Sequence, residues 1–252
     1  METEAEVSLL ATRLQESGLT VHQVVQEIRS AELIIDFAHE HSVDLIVVAL
    51  ADHDTGDLTN QFMKYTKIPV LIVRADNIVR TNPSSLTYGR ILVPLDGSQR
   101  AECVLSLAET LADSCGAELI VAHIVRRPEV PRRAPLSQED VDLTNRLVQR
   151  NQQEGMKYLE NIVSQIKTLV HHRLLVDDNV ANALHDLVEQ ESIDLVVLSA
   201  HGYSGSPRWP YGSIAGSFIT FGDRPVMVVQ DLPDAELRGR EPDIPVRQTG
   251  DR

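Results

Sequence analysis

Short unbroken apolar runs alternate along this chain with longer stretches whose apolar positions recur every three or four residues. The runs are LIVVALA at 45–51, VLIV at 70–73, ILVPL at 91–95, LIVAHIV at 119–125, LVVL at 195–198 and VMVV at 226–229. Runs of that length suit strands buried on both faces, whereas the periodic stretches suit amphipathic helices. The first third reads as a helix at 4–16, a strand at 20–28, a helix at 31–41, a strand at 44–49, a short helix at 58–65 and a strand at 70–73. The remainder reads as a strand at 90–95, a helix at 99–114 stopped by Gly116, a strand at 118–125 and a long helix at 138–166. A strand at 169–176 follows, then a helix from 180 to 191 capped by Asn179, a strand at 194–198, a helix at 214–221 and a strand at 226–229. Strands alternating with helices predict an α/β fold, a doubly wound parallel sheet covered on both faces.

An internal repeat organises these elements. SAELIIDFAHEHSVDLIVVALA (30–51) matches NVANALHDLVEQESIDLVVLSA (179–200), and IPVLIV (68–73) matches RPVMVV (224–229). The predicted organisation is a partial copy at 1–75, a linker at 76–89, a complete five-stranded copy at 90–231 and a disordered tail at 232–252. From Asp194 to Pro225 is 31 positions but from Asp44 to Pro69 only 25, so the first copy is six residues shorter in the loop after its matched strand. That loop is ADHDTGD, and carboxylates at Asp52, Asp54 and Asp57 would repel a phosphate. About sixty residues, enough for strand, helix and strand, are missing before the first match, which would leave a sheet edge or an apolar face uncovered.

Composition narrows the partners. A formal net charge of -14 disfavours non-specific binding to nucleic acid or an anionic membrane surface. No run of about 18 apolar residues appears, and METEAEVSLL lacks the basic and apolar regions of a signal peptide, so the expected compartment is the cytoplasm. Cys103 and Cys115 fall about 18 Å apart on one predicted helix, too far for a disulfide, and read as core thiols. Neither His39-Glu40-His41 nor His171-His172 has the spacing of a helical zinc site, so no metal ligands are assigned. The basic, proline-bearing RRPEVPRRAP (126–135) reads as a solvated excursion.

Candidate chemistry concentrates in SAHGYSGSPRWPYGS (199–213), which joins a predicted strand to a predicted helix and carries Gly202, Gly205 and Gly212. Ligands bind at the carboxyl ends of strands in open α/β sheets, and a helix N-terminus at Gly212-Ser213 favours an anion. An ordinary glycine-rich surface loop is the competing reading. Asp96, in VPLDGS at the end of another strand, is placed to accept from an adenine amino group or a ribose hydroxyl; the alternative is an N-cap, which suits Ser98 better. Arg208 is within reach of a phosphate, Trp209 reads as packing the loop onto the domain or a partner, and His201, with no nucleophile beside it, as structuring the loop.

VPLDGS, AHIV, SAHGYSGSPRWPYGS and RPVMVV, in that order, resemble the universal stress protein family over residues 90–231, with a partial match over 4–74. The resemblance implies a Rossmann-like, adenine nucleotide α-hydrolase-like fold and ATP as the ligand, with Mg2+ as its companion ion. The pattern of that family's ATP-binding members, Gly, two residues, Gly, nine residues, Gly, then Ser or Thr, falls on Ser199, Gly202, Gly212 and Ser213. Carried over residue by residue, it sets Pro94, Asp96, Ile124 and Leu198 around adenine and ribose, and Gly202, Gly212, Ser213 and the amide of Ile214 on the phosphates. Ser199 departs from the pattern's first glycine, and a left-handed backbone there would cost a serine about 1 to 2 kcal/mol. The implied function is an ATP-binding regulator with at most slow hydrolysis, since no catalytic set can be named. The alternative is an interaction scaffold with a vestigial pocket, its edge strands 70–73 and 226–229 pairing the two domains or separate chains. The expected assembly is a homodimer or pseudo-dimer through those last strands, with a protein partner still to be named.

Overall fold

The computed structural model describes residues 2–24, 31–50, 57–74, 88–128, 137–203 and 209–231. The first half of the internal repeat, under a third of the chain, holds α1 (Glu2–Glu16), α2 (Ala31–Glu40), β1 (Ile46–Leu50), α3 (Asp57–Tyr65) and β2 (Val70–Arg74). The second holds β3 (Arg90–Leu95), α4 (Gln99–Glu102), α5 (Leu105–Cys115), β4 (Glu118–Val125), α6 (Gln138–Gln165) and β5 (Val170–Val176), then α7 (Val180–Gln190), β6 (Leu195–Ser199), α8 (Ser213–Phe221) and β7 (Val226–Val229). Among the described residues no helix is long and apolar enough to cross a membrane.

All seven strands form one sheet in the order β1-β2-β7-β6-β3-β4-β5. Every neighbouring pair is parallel except β2 and β7, which run antiparallel with Val70 opposite Val228 and Ile72 opposite Val226. The last strands of the two matched segments therefore pair within one chain, and that edge is consumed. The five strands of the second half are the predicted doubly wound parallel sheet, and the first half is a partial copy of the same α/β unit. The repeat holds at atomic detail. Ser42 and Ser192 both take left-handed backbone (φ 51° and 50°) in the turn after their helices. The amides of Ile46 and Val196 each donate to a proline carbonyl, Pro69 and Pro225, at 3.0 Å.

Alternate residues of the strands feed two cores. One joins Leu92, Ile120, Val196 and Val228 to α7 and α8, and continues across the β2–β7 seam to Ile72, Phe62 and Met63. The other places Ile91, Val93, Leu119 and Leu195 against α5 and α6. The second half is thus covered on both faces. Among the described residues the first half is not: β1 is an edge strand whose alternate residues are exposed, and Val47 is 59% exposed.

Three expectations are corrected. Residues 20–24 form no strand: among the described residues β1 ends the sheet, and no neighbouring strand takes their backbone groups; residues 25–28 lie outside the described set. The helix at 99–114 is two helices, broken where the Cys103 amide turns back to Arg100 O and Val104 is buried against the sheet. Cys103 stands in that break and is exposed rather than a core thiol. Most of the linker, residues 129–135 of the basic loop and the tail lie outside the described residues.

Candidate functional site

Strands β3, β4 and β6 end on the same side of the sheet, and the chain leaving them surrounds a cleft of about 1270 Å3. Pro94 and Asp96 enter it from β3, Ile124 from β4, and Leu198 and Ser199 from β6; Gly202, Gly212, Ser213 and Ile214 come from the loop and α8. All nine residues proposed from the sequence line this one cleft. Gly205 and Arg208, and Asp52 and Asp54 of the shortened loop, lie outside the described residues.

Asp96 ties the two halves of the rim together. Its Oδ1 accepts from the amide and hydroxyl of Ser98, at 3.0 and 2.6 Å, and Oδ2 accepts from the Tyr203 amide at 2.6 Å. Ser98, not Asp96, is the N-cap, its Oγ accepting from the Ala101 amide. The reversal between them needs Gly97, whose φ is 85°. Behind this corner the Tyr158 hydroxyl of α6 donates to Glu102 at 2.9 Å. Burial, then that bond and the charges of Glu102 and Asp96, push the phenol far above its ordinary range.

Ser199 closes β6 in a conformation open to any residue, since its φ is not positive, and the expected backbone penalty does not arise. Its hydroxyl donates to the His201 carbonyl, so the side chain turns back on its own loop. His201 is buried and does structure the loop. Nδ1 meets Asp231 Oδ1 at 2.8 Å, its amide donates to the same oxygen at 3.0 Å, and Nε2 meets the Trp209 carbonyl at 2.8 Å. Arg100 Nε lies 3.5 Å from the other Asp231 oxygen. The loop's departing and returning arms are thereby pinned to the end of β7. The Trp209 side chain is 66% exposed on the cleft's lining, less buried against the domain than expected and open to a partner.

The returning arm delivers α8. The Gly212 amide donates to Ala200 O at 2.7 Å, and no side-chain cap closes the helix N-terminus. Its first-turn amides have no intrahelical acceptor, so Ser213, Ile214 and Ala215 bring donors unmatched among the described residues, and the positive end of the helix dipole, to the cleft wall. Arg126, the residue after β4 and the first of the basic loop expected to be a solvated excursion, lines the same cleft. The lining combines the Asp96 carboxylate, an apolar surface of Ala122, Ile124, Leu184 and Leu198, and the backbone donors of the loop and α8. It suits a ligand with a polar ring system and an anionic tail.

Residues 87–230 match the model of the Universal stress protein family. The chain belongs to that family. Universal stress protein MJ0577 of Methanocaldococcus jannaschii is 24% identical over 58% of this chain and 97% of its own length. A Mycobacterium tuberculosis universal stress protein is 27% identical over 72% of this chain, which spans only 58% of that relative. Among solved structures, one universal stress protein from Archaeoglobus fulgidus covers 91% of this chain and 76% of itself with a TM-score of 0.61 at 18% identity. At that identity the likeness concerns the fold, and it extends through the first half.

Proposed function

We propose that this universal stress protein is an ATP-binding regulator, with the nucleotide lying between Asp96 and the segment from Gly202 to Ser213. The observation that supports this most is that the uncapped N-terminus of α8 and the Asp96 carboxylate line one cleft together with the apolar Ala122, Ile124, Leu184 and Leu198. Asp96 and the Pro94, Ile124 and Leu198 surfaces receive adenine and ribose; Gly202, Gly212, Ser213 and the Ile214 amide receive the phosphates with their Mg2+. Ser199 bounds the pocket without contributing its hydroxyl, which is committed to His201. The buried imidazole of His201 is likewise committed at both ring nitrogens, which removes it as a general base, and turnover is slow or nil. Binding orders the rim and alters the surface around Tyr203 and Trp209, both largely exposed.

The first half is the degenerate, shorter member of a tandem pair, and the β2–β7 seam makes the chain its own pseudo-dimer. An interaction scaffold with an idle pocket is the second reading, favoured by β1, the sheet's edge among the described residues, and by its exposed Val47. Mass spectrometry of small molecules released when freshly purified protein is denatured separates the two. An adenine nucleotide at near one equivalent is the expected result; protein free of nucleotide that also shows no melting shift in millimolar MgATP leaves the scaffold.

A further inference from the structure

The two ends of α8 are gripped through the first half. At its C-terminus Nη2 of Arg74, the last residue of β2, donates to the carbonyls of Ile219 and Thr220, each at 2.7 Å. Phe218 O is met by the Gly222 amide at 2.9 Å. Two of the four carbonyls that a helix leaves unmatched at its end are thus filled by a cation from the first half, which also complements the helix dipole. On the other side, buried Gln230 donates through Nε2 to the Met63 carbonyl, in the last turn of α3, and to Pro210 O at 3.4 Å. Pro210 stands two residues before Gly212, so one amide group joins a first-half helix to the arm that delivers the α8 amides. A nine-residue helix is too short to hold itself, and its place is set by whatever holds its ends.

We infer that the first half, despite its own shortened loop, positions the cradle of the second: Arg74 and the Met63–Gln230–Pro210 link fix where the α8 amides stand. Its affinity consequence rests on the nucleotide reading above; its structural consequence does not. Coupling is reciprocal, so nucleotide in the second half also tightens the first half against it by the same factor.

The test uses the full chain with Arg74→Met, which removes charge and donors, and Arg74→Lys, which keeps the charge but not the planar fork. Amide hydrogen exchange at residues 216–221 of the nucleotide-free protein is expected to quicken about tenfold in Arg74→Met while exchange in α6 is unchanged. The MgATP dissociation constant is expected to rise about tenfold, with Arg74→Lys intermediate. Wild-type exchange at 216–221 overturns the inference, as does faster exchange there with wild-type affinity. If Arg74→Met does not fold, Arg74→Lys and Gln230→Leu are judged on the same readouts. If the wild type binds no MgATP, the nucleotide reading fails and exchange alone decides whether Arg74 positions α8.

Discussion

Gly202 lies directly against Asp96: a β-carbon built on the glycine would stand 2.1 Å from Asp96 Oδ2. That oxygen is the one accepting from the Tyr203 amide, and its partner oxygen is held by Ser98. Gly202 is therefore required by contact and not by backbone freedom, since its φ is not positive. The carboxylate and the loop close the rim of the cleft only because this position has no side chain.

Gly202→Ala is expected to push the carboxylate off the Tyr203 amide and weaken MgATP binding about tenfold, the worth of one charge-assisted hydrogen bond. In an Asp96→Ala background the same substitution should cost little more, because the two residues act as a pair. Calorimetric titration of the four proteins in this cycle gives the answer, and additive losses would show that the contact does not matter.

Ser199→Gly tests the one departure from the family's glycine pattern. The hydroxyl bonds within the loop, and the backbone asks for nothing a serine cannot adopt. Restoring glycine should therefore leave MgATP affinity within about threefold while costing about 1 to 2 kcal/mol of stability, from a lost hydrogen bond and a more flexible strand end. A large gain in affinity would mean that the serine obstructs the pocket.

Asp231→Ala removes the acceptor of both the His201 amide and Nδ1 from a site where neither side chain is more than 1% exposed. Leaving a buried donor without its acceptor costs about 1 to 3 kcal/mol, and two donors lose theirs here. Urea unfolding at pH 7 measures it, and a loss below about 1 kcal/mol would contradict the pinned-loop description.

Cys103 should be slow to alkylate although it is exposed. Desolvation of its sulfur and then the nearby Asp231 carboxylate push the thiol up to about 11. Since the thiolate is the nucleophile, iodoacetamide at pH 8 should modify it about a hundredfold more slowly than an ordinary thiol. The rate should climb as pH rises towards about 11 and become ordinary in urea. Peptide mapping distinguishes Cys103 from Cys115.

Elements buried on both faces were legible from apolar runs alone: β3, β4, β6 and β7 start and stop within a residue or so of expectation. So were Gly116 as a left-handed C-cap and Asn179 as an N-cap, because each local geometry restricts the residue type. The segment at 20–24 misled because apolar pattern reports a wish for burial, while a strand also needs a neighbour for its backbone. Asp96 and the glycine loop were legible through their spacing. The His201–Asp231 contact joins residues 30 positions apart, and Arg74 reaches carbonyls about 145 positions away; no local pattern encodes either. The exposure of Trp209 was not legible either: large aromatics are usually buried, and this one lines a ligand-sized cleft.

That exposed indole allows the most direct test. The chain contains one tryptophan, so its fluorescence reports on the cleft without a label. Titration of the full chain with MgATP should give a saturable change in Trp209 emission, abolished or shifted at least about tenfold in Asp96→Ala, with calorimetry giving one site per chain. No saturable change and no heat up to millimolar MgATP, in protein verified free of bound nucleotide, would contradict the assignment of this cleft as a nucleotide site.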